Sequence, residues 1–517
     1  MKYLYIIIVS FIASIGISTA QNSEADSIVG DLLNRNELLT LSKNYPTLKN
    51  ELHPFLQSMA ASVLANSFNK PDTACLEIEN LINKYQNFMD SSTLISMLYI
   101  WANNMQYLGM YKESVDLLRT FLQSIPTNNR NDIQPIFNTL LKTGDVLKEF
   151  PQPQINYNKK ENCVSSISLI PIPTYGTLIS IPAIVNGTKE DFILDTGAEG
   201  NAISEDFAKQ HKIRIIADSI ETIGAERLYS KLGIIDSIEI GNITYKHIPV
   251  HILPSSPDDK IFKVNAILGL PFLKAIKEIR IYPNDKVLVI PYEPTLKKTN
   301  ADPNIVLYNN QLCINTMIKD ENFLFNFDTG SVISYLNSNF YNKNKDIVKF
   351  SGEKKTKLVG GFGRIDSIEV YQVPLQYIKI GNAIFKDLNL EVRMNNFMSD
   401  QRAETIGTLG VDILLQCNEI IINTDKMVVN LFNNNNKYEI SNCPTWIYKT
   451  PSVYSLTNSK ITENTIPPSS SLPLKQPVLF YRINKKWGNI QKVDYTFDLN
   501  TMKWQSYNSS TLIRLDK

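Results

Sequence analysis

The chain has 517 residues, of which 43% are hydrophobic and 20% charged, and its formal net charge is +1. This length and balance fit a globular protein of about three domains. A charge so close to zero leaves no broad basic excess to neutralise phosphates, so nucleic acid is excluded as the expected partner.

Met1-Lys2 precede an apolar run from Leu4 to Ile17, which ends in Ser18-Thr19-Ala20 before Gln21. A basic start, a short apolar core and small closing residues predict a secretory signal peptide over residues 1–20. The run is too short to span a bilayer, and no later stretch reaches spanning length. No Cys follows the cleavage point, so a lipoprotein anchor is not expected. The expected location is periplasmic or extracellular, with no membrane span.

Residues 24–150 carry apolar positions at spacings of three and four, as in Leu76-Ile78-Leu81-Ile82-Tyr85 and Leu117-Leu118-Phe121-Leu122, which predict a helical domain. Within it, Leu108-Gly109-Met110-Tyr111 followed by Ser114, Leu118, Phe121 and Pro126 resembles a tetratricopeptide unit. Only one copy is clear, so a plain helical bundle and a protein-partner or substrate-recruiting surface both remain open. Pro151 to Asn162 is expected to be a linker.

Two regions follow, expected at residues 165–292 and 304–440, and they repeat four features in the same order. The first is the tripeptide Asp195-Thr196-Gly197 against Asp328-Thr329-Gly330, each leaving a short strand-like run, Phe192-Ile193-Leu194 and Phe325-Asn326-Phe327. The second is Gly241-Asn242 against Gly381-Asn382. Third comes Ile267-Leu268-Gly269 against Thr408-Leu409-Gly410. Last are two strand-turn-strand runs, Ile279 to Val289 and Ile420 to Asn430. A conserved order at nearly constant offset indicates an internal duplication of about 120 residues, longer than solenoid periods. Pro291 to Asn304 is expected to link the halves. Residues 441–517 form a C-terminal extension with strand-like runs around Phe480, Trp487, Tyr495 and Trp504, read as two or three β-hairpins.

Over roughly residues 170 to 432 the chain resembles the retropepsin-like and pepsin-like aspartic proteases. The resemblance implies that each half gives one Asp loop, backed by its own Leu-Gly segment, with both halves in a single chain. The fold class expected is therefore multidomain α+β: an N-terminal all-α domain, then a duplicated, bilobal all-β acid-protease region, then the β-hairpin extension. The activity implied is an aspartic-type endopeptidase acting on a polypeptide substrate bound as an added strand. Asp195 and Asp328 would be the catalytic dyad. Two carboxyls about 3 Å apart cannot both ionise, so one takes a proton from water while the other donates to the developing oxyanion. Thr196 and Thr329 would bond across to the opposite loop, and Gly197 and Gly330 would permit close approach. No metal or cofactor is called for; four His and five scattered Cys show no metal-ligand spacing.

After each tripeptide the copies differ, Ala198 against Ser331. A hydroxyl here can bond the ionised carboxylate and lower the apparent pKa of the dyad. An acidic to mildly acidic optimum is expected. A cover over the cleft is expected from Gly-containing hairpins, with Gly224 in the first half and Gly360 and Gly361 in the second. Two competing readings stand: an exported, non-catalytic binding or scaffold protein that kept the duplicated turns, and a protease active only as a homodimer.

Overall fold

In a computed structural model, the structure describes residues 24–172, 176–223, 227–254, 264–298, 302–318, 321–361, 364–395 and 405–433, and short strand pairs between 446 and 506. The predicted signal peptide lies outside the described residues.

Local signals account for the helical region. Helices α1 (Glu24–Asn34), α2 (Leu38–Leu48), α3 (Pro54–Ser67), α4 (Pro71–Tyr85), α5 (Ser91–Tyr107), α6 (Tyr111–Ser124) and α7 (Thr127–Leu147) run in succession. Pro54 and Pro71 open their helices at the position where a missing N–H is harmless. Asp90 caps α5 by accepting from Thr93 N at 2.6 Å. Gly109, at φ +73°, makes the left-handed turn between α5 and α6. Across this turn Ser114 is buried and donates to Ala102 O at 2.9 Å, and Leu118 packs with Leu98 and Phe137.

The first lobe contains β1 (Gln154–Tyr157), β2 (Cys163–Ser166), β3 (Ser168–Ile172), β4 (Gly176–Val185), β5 (Thr188–Leu194), β6 (Asn201–Ser204), β7 (Arg214–Ile223), β8 (Arg227–Ile240), β9 (Ile243–Leu253), β10 (Ala266–Leu268), β11 (Glu278–Tyr282) and β12 (Val287–Ile290). The second contains β13 (Ile305–Tyr308), β14 (Gln311–Ile318), β15 (Glu321–Phe327), β16 (Tyr335–Leu336), β17 (Glu353–Gly361), β18 (Arg364–Ile380), β19 (Ala383–Arg393), β20 (Thr405–Leu409), β21 (Glu419–Asn423) and β22 (Val428–Phe432). Corresponding strands pair alike in the two lobes. β10 runs parallel to β5 and β20 parallel to β15, while β6 runs parallel to β9 and β16 parallel to β19. The two Gly-Asn repeats are the β8–β9 and β18–β19 turns, and Gly241 and Gly381 both sit at φ +56°, a conformation that favours glycine.

The two repeated strand-turn-strand runs do more than form hairpins. β11 pairs with β21 antiparallel, so one sheet ordered β2-β12-β11-β21-β22 crosses from lobe to lobe. Glu278 of β11 is fully buried and accepts from Thr295 N, Leu296 N and Asn423 Nδ2 at 3.0, 3.2 and 2.8 Å, tying the joining segment to the second lobe's strand. Burial would raise the Glu278 carboxyl, but these donors together with Thr295 Oγ1 and Arg280 hold it below its usual range.

Two expectations are corrected here. Gln154–Tyr157, placed in a linker by its Pro and Asn neighbours, is strand β1 and pairs with β9. The segment after Pro291 is likewise no free connection, since Thr295–Lys298 forms a 3₁₀ turn clasped by Glu278. In the extension, Val453–Thr457 pairs with Lys460–Asn464, and Tyr495–Asp498 with Lys503–Ser506; Phe480 and Trp487 lie outside the described residues. The four described cysteines, Cys75, Cys163, Cys313 and Cys417, are unbridged. Among the described residues, no helix is long and apolar enough to cross a membrane.

The helices lie along both lobes. Leu33, Leu41, Leu56 and Met59 share a core with Val306, Tyr308 and Cys313 of lobe 2. Asn69 and Lys70, in the α3–α4 turn, donate to Thr424 O and Asp425 O, both at 2.9 Å. Tyr111 and Leu147 pack on Ile220, Leu232 and Ile234 of lobe 1.

Candidate active site

β5 and β15 each deliver an Asp at the strand end, where the chain must turn back over the neighbouring parallel strand. Asp195 N donates to Leu268 O and Asp328 N to Leu409 O, each at 3.0 Å. Beyond the turn, Leu270 N donates to Ala198 O and Val411 N to Ser331 O, each at 2.9 Å. Helices α8 (Leu270–Ile276) and α9 (Val411–Leu414) begin there. The glycines of the Leu-Gly segments are explained by crowding: a Cβ on Gly269 would lie 2.7 Å from Ala198 O, and one on Gly410 would lie 2.7 Å from Ser331 O.

The two loops meet. Thr196 Oγ1 donates to Phe327 O and Thr329 Oγ1 donates to Leu194 O, both at 2.6 Å. Each hydroxyl also accepts from the other threonine's N–H, at 2.9 Å from Thr329 N and 3.0 Å from Thr196 N. Both threonines are buried, so four hydrogen bonds tie the loops where water does not compete. A Cβ on Gly197 would lie 2.6 Å from Asp328 Cγ, and one on Gly330 2.6 Å from Asp195 Oδ1. Only glycine at both positions allows the carboxyls to face each other.

The Asp195 and Asp328 carboxyls face one another across the joined loops, each lying against the glycine of the opposite loop. Asp195 Oδ1 accepts from Gly197 N at 2.9 Å and Ala198 N at 3.0 Å; Asp328 Oδ1 accepts from Gly330 N at 2.8 Å. Burial lifts the Asp195 carboxyl above its usual range, and those N–H donors and the Asp328 contact only partly oppose the lift. A carboxyl so placed keeps a proton at a pH where an exposed one has lost it. The pair can therefore hold one proton between two oxygens, which suits one group to act as acid while the other acts as base.

Ser331 does not do what its hydroxyl suggested. Its Oγ donates to Ile333 O at 2.8 Å, a local turn bond, so its single proton is directed away from the Asp328 carboxylate.

Gly360 and Gly361 end β17 opposite Ile365 and Arg364, at the closed end of the β17–β18 hairpin. Gly224 lies outside the described residues, between β7 and β8, which form the matching hairpin in lobe 1. Two buried residues that support the loops were not foreseen. Asn201 Oδ1 accepts from Gly269 N at 3.1 Å, and Ser334 Oγ accepts from Gly410 N at 2.8 Å while donating to Asp412 at 2.6 Å. Both lie six residues after their Asp, and this shared offset is the one signal that could have found them.

Residues 181–275 match a family model described as gag-polyprotein putative aspartyl protease. The matched span holds the first Asp loop and its Leu-Gly segment. Among solved structures, the chain is similar to a retropepsin-like aspartic protease from Rickettsia conorii, at 20% identity over 27% of this chain and 94% of that chain, with a TM-score of 0.19. No curated protein matches. Over these residues the chain is similar to a family of putative aspartyl proteases.

Proposed function

We propose that this protein is an aspartic-type endopeptidase with Asp195 and Asp328 as its dyad. The observation that supports this most is the facing carboxyl pair, held by reciprocal threonine hydroxyls from the two loops. In this reading the ionised carboxylate takes a proton from water. The resulting hydroxide attacks the scissile carbonyl carbon, and the protonated partner donates to the carbonyl oxygen as it gains charge. Collapse of the tetrahedral intermediate breaks the C–N bond: the proton held by the first carboxyl passes to the leaving nitrogen, and one hydroxyl of the intermediate returns its proton to the second carboxylate, restoring the singly protonated pair. An extended peptide lying under the two hairpins as an added strand is the substrate form proposed.

The optimum is proposed to be acidic to mildly acidic, because activity needs one proton on the pair. The protein is proposed to be exported by residues 1–20 to a periplasmic or extracellular location. The helical region is proposed to be tetratricopeptide-like. Part of its surface is already used against the lobes, so a protein partner would meet apolar side chains left exposed elsewhere, such as Leu76, 67% exposed, or Phe88, 48% exposed.

The test is cleavage of an unfolded protein mixture between about pH 3 and 8, the range in which carboxyl pairs titrate. The mature chain is compared with Asp195→Asn and Asp328→Asn. Loss of cleavage in each single variant is expected. One fully active single variant would rule out a shared dyad, and an intact chain that cleaves nothing at any pH would rule out the peptidase.

A further inference from the structure

The β7–β8 hairpin of lobe 1 is fastened by several separate contacts. Ile220, Leu232 and Ile234 pack with Tyr111 and Leu147 of the helical region. The Arg214 guanidinium lies 4.7 Å from the centre of the Phe150 ring, and Lys142 Nζ donates to Ser219 O at 3.1 Å. β8 also pairs with β9 from Lys231 to Ile240, and beyond that ladder, toward the hairpin tip, the side chain of His251 of β9 reaches both strands. Its Nδ1 is 2.9 Å from Ser230 Oγ of β8 and 3.1 Å from Thr222 Oγ1 of β7, and the two hydroxyls are 3.0 Å from each other. A single ring nitrogen therefore joins both strands of the hairpin.

The far edge of the same ring reaches the loop of Asp195. A Cβ added to Gly200 would lie 3.1 Å from His251 Cδ2 and 3.5 Å from Nε2, so a side chain there would crowd the imidazole. Nε2 makes no hydrogen bond to a described residue, and the ring is half-buried. Burial pushes the imidazole down to about 4, so it is neutral over most of the working range and can accept at one nitrogen while donating at the other.

The duplication supplies an internal control. His251 stands opposite Leu232, and Glu391 stands opposite Gln372, at the same place in lobe 2. Thr222 stands opposite Leu228, and Lys357 stands opposite Ile368. Lys357 bonds Glu391, so the second lobe joins the same two positions, by an ion pair instead of a hydroxyl and an imidazole. One structural link is filled by different chemistry in each half.

We propose that His251 is a positioning residue that sets the height of the lobe 1 hairpin above the Asp195 loop, and with it the fit of the substrate backbone in that half of the cleft. This rests on the peptidase reading. The ring acts through Thr222 and Ser230 on one side and against Gly200 on the other, and does not touch the reacting carboxyls.

The experiment compares His251→Asn, whose amide falls near the position of Nδ1, with His251→Leu, which keeps bulk and loses both nitrogens. Steady-state cleavage and amide exchange over 214–240 and 353–372 are read for each. We expect Asn to stay within about threefold of the parent in kcat/KM. Leu is expected to lose about tenfold, chiefly through KM, with exchange accelerated in 214–240 and unchanged in 353–372. Thr222→Val with Ser230→Ala removes the same bonds around an intact ring and should reproduce the Leu result if His251→Leu does not fold. Equal kinetics for Asn and Leu, or acceleration spread over both hairpins, would overturn the proposal. If the parent cleaves nothing, the peptidase reading fails by itself; selective exchange over 214–240 then still sustains the tie, and its absence overturns it.

Discussion

Removing one threonine hydroxyl tests the joint between the Asp loops quantitatively. In Thr329→Val the side chain keeps its shape, but Leu194 O loses a donor at 2.6 Å and Thr196 N loses an acceptor at 3.0 Å. Both groups lie at a buried threonine pair. A buried backbone group left without its partner costs about 1–3 kcal/mol, so the two together cost about 2–6 kcal/mol. Thr329→Ser keeps the hydroxyl and should cost under about 1 kcal/mol. Amide exchange is the assay, because local opening reports on the joint without requiring the whole multidomain chain to unfold in one step. At about 1.4 kcal/mol per tenfold, Val should accelerate exchange at 192–198 and 325–331 by roughly 30-fold to 10⁴-fold, and Ser by less than about tenfold. If Val and Ser behave alike, the hydroxyls do not hold the loops and the reasoning is refuted.

Four further outcomes follow from the same geometry. Gly330→Ala should reduce kcat/KM by about 100-fold or more while leaving the far-ultraviolet circular dichroism unchanged, because its Cβ displaces the Asp195 carboxyl; near-parent activity would contradict the close approach. Asp195→Asn should melt at or above the parent temperature at neutral pH. Because burial raises the folded-state pKa of Asp195, its stability contribution is full below the ordinary carboxyl range and is lost as pH rises through the raised value. The difference between variant and parent should therefore shrink on acidification, and a constant difference would argue against the raised pKa. Glu278→Gln should show the opposite sign: the depressed folded pKa of Glu278 stabilises above its ordinary range and is lost as pH falls through the depressed value. Parent and variant melts should converge in acid, and a gap that widens there would exclude the clasp. Leu147→Ala should destabilise the contact between the helices and the lobe 1 hairpin by about 2–5 kcal/mol, read as faster exchange at 214–223; unchanged exchange would show the contact to be idle.

The parts of the site that the sequence carries are those with local signatures. Asp-Thr-Gly after an apolar strand, Leu-Gly downstream and Gly-Asn at a positive φ are each set by a few neighbouring residues, and all stand where the repeats imply. What was not legible depends on distant partners. Nothing in Ile279–Tyr282 says that it pairs with Ile420–Asn423 instead of only with its own hairpin, because apolar alternation is the same for either neighbour. β1 was hidden by Pro151, Pro153 and flanking Asn, although Ile155 and Tyr157 face the core. The direction of the Ser331 hydroxyl is fixed by the carbonyl of Ile333, a conformational detail that residue type does not encode. The apolar stripes of the helices were visible, but their partners Val306, Tyr308 and Cys313 were not.

The sheet shared by the two lobes also governs how the carboxyl pair comes into being. Since β11 and β21 belong to one polypeptide, the encounter of Asp195 with Asp328 is a unimolecular event whose equilibrium does not contain the protein concentration. A one-loop enzyme that assembles from two chains loses its pair on dilution, and its specific activity falls with it. Here each molecule carries a complete pair however sparse the population, so turnover per molecule is expected to be the same in dilute surroundings as in concentrated stock.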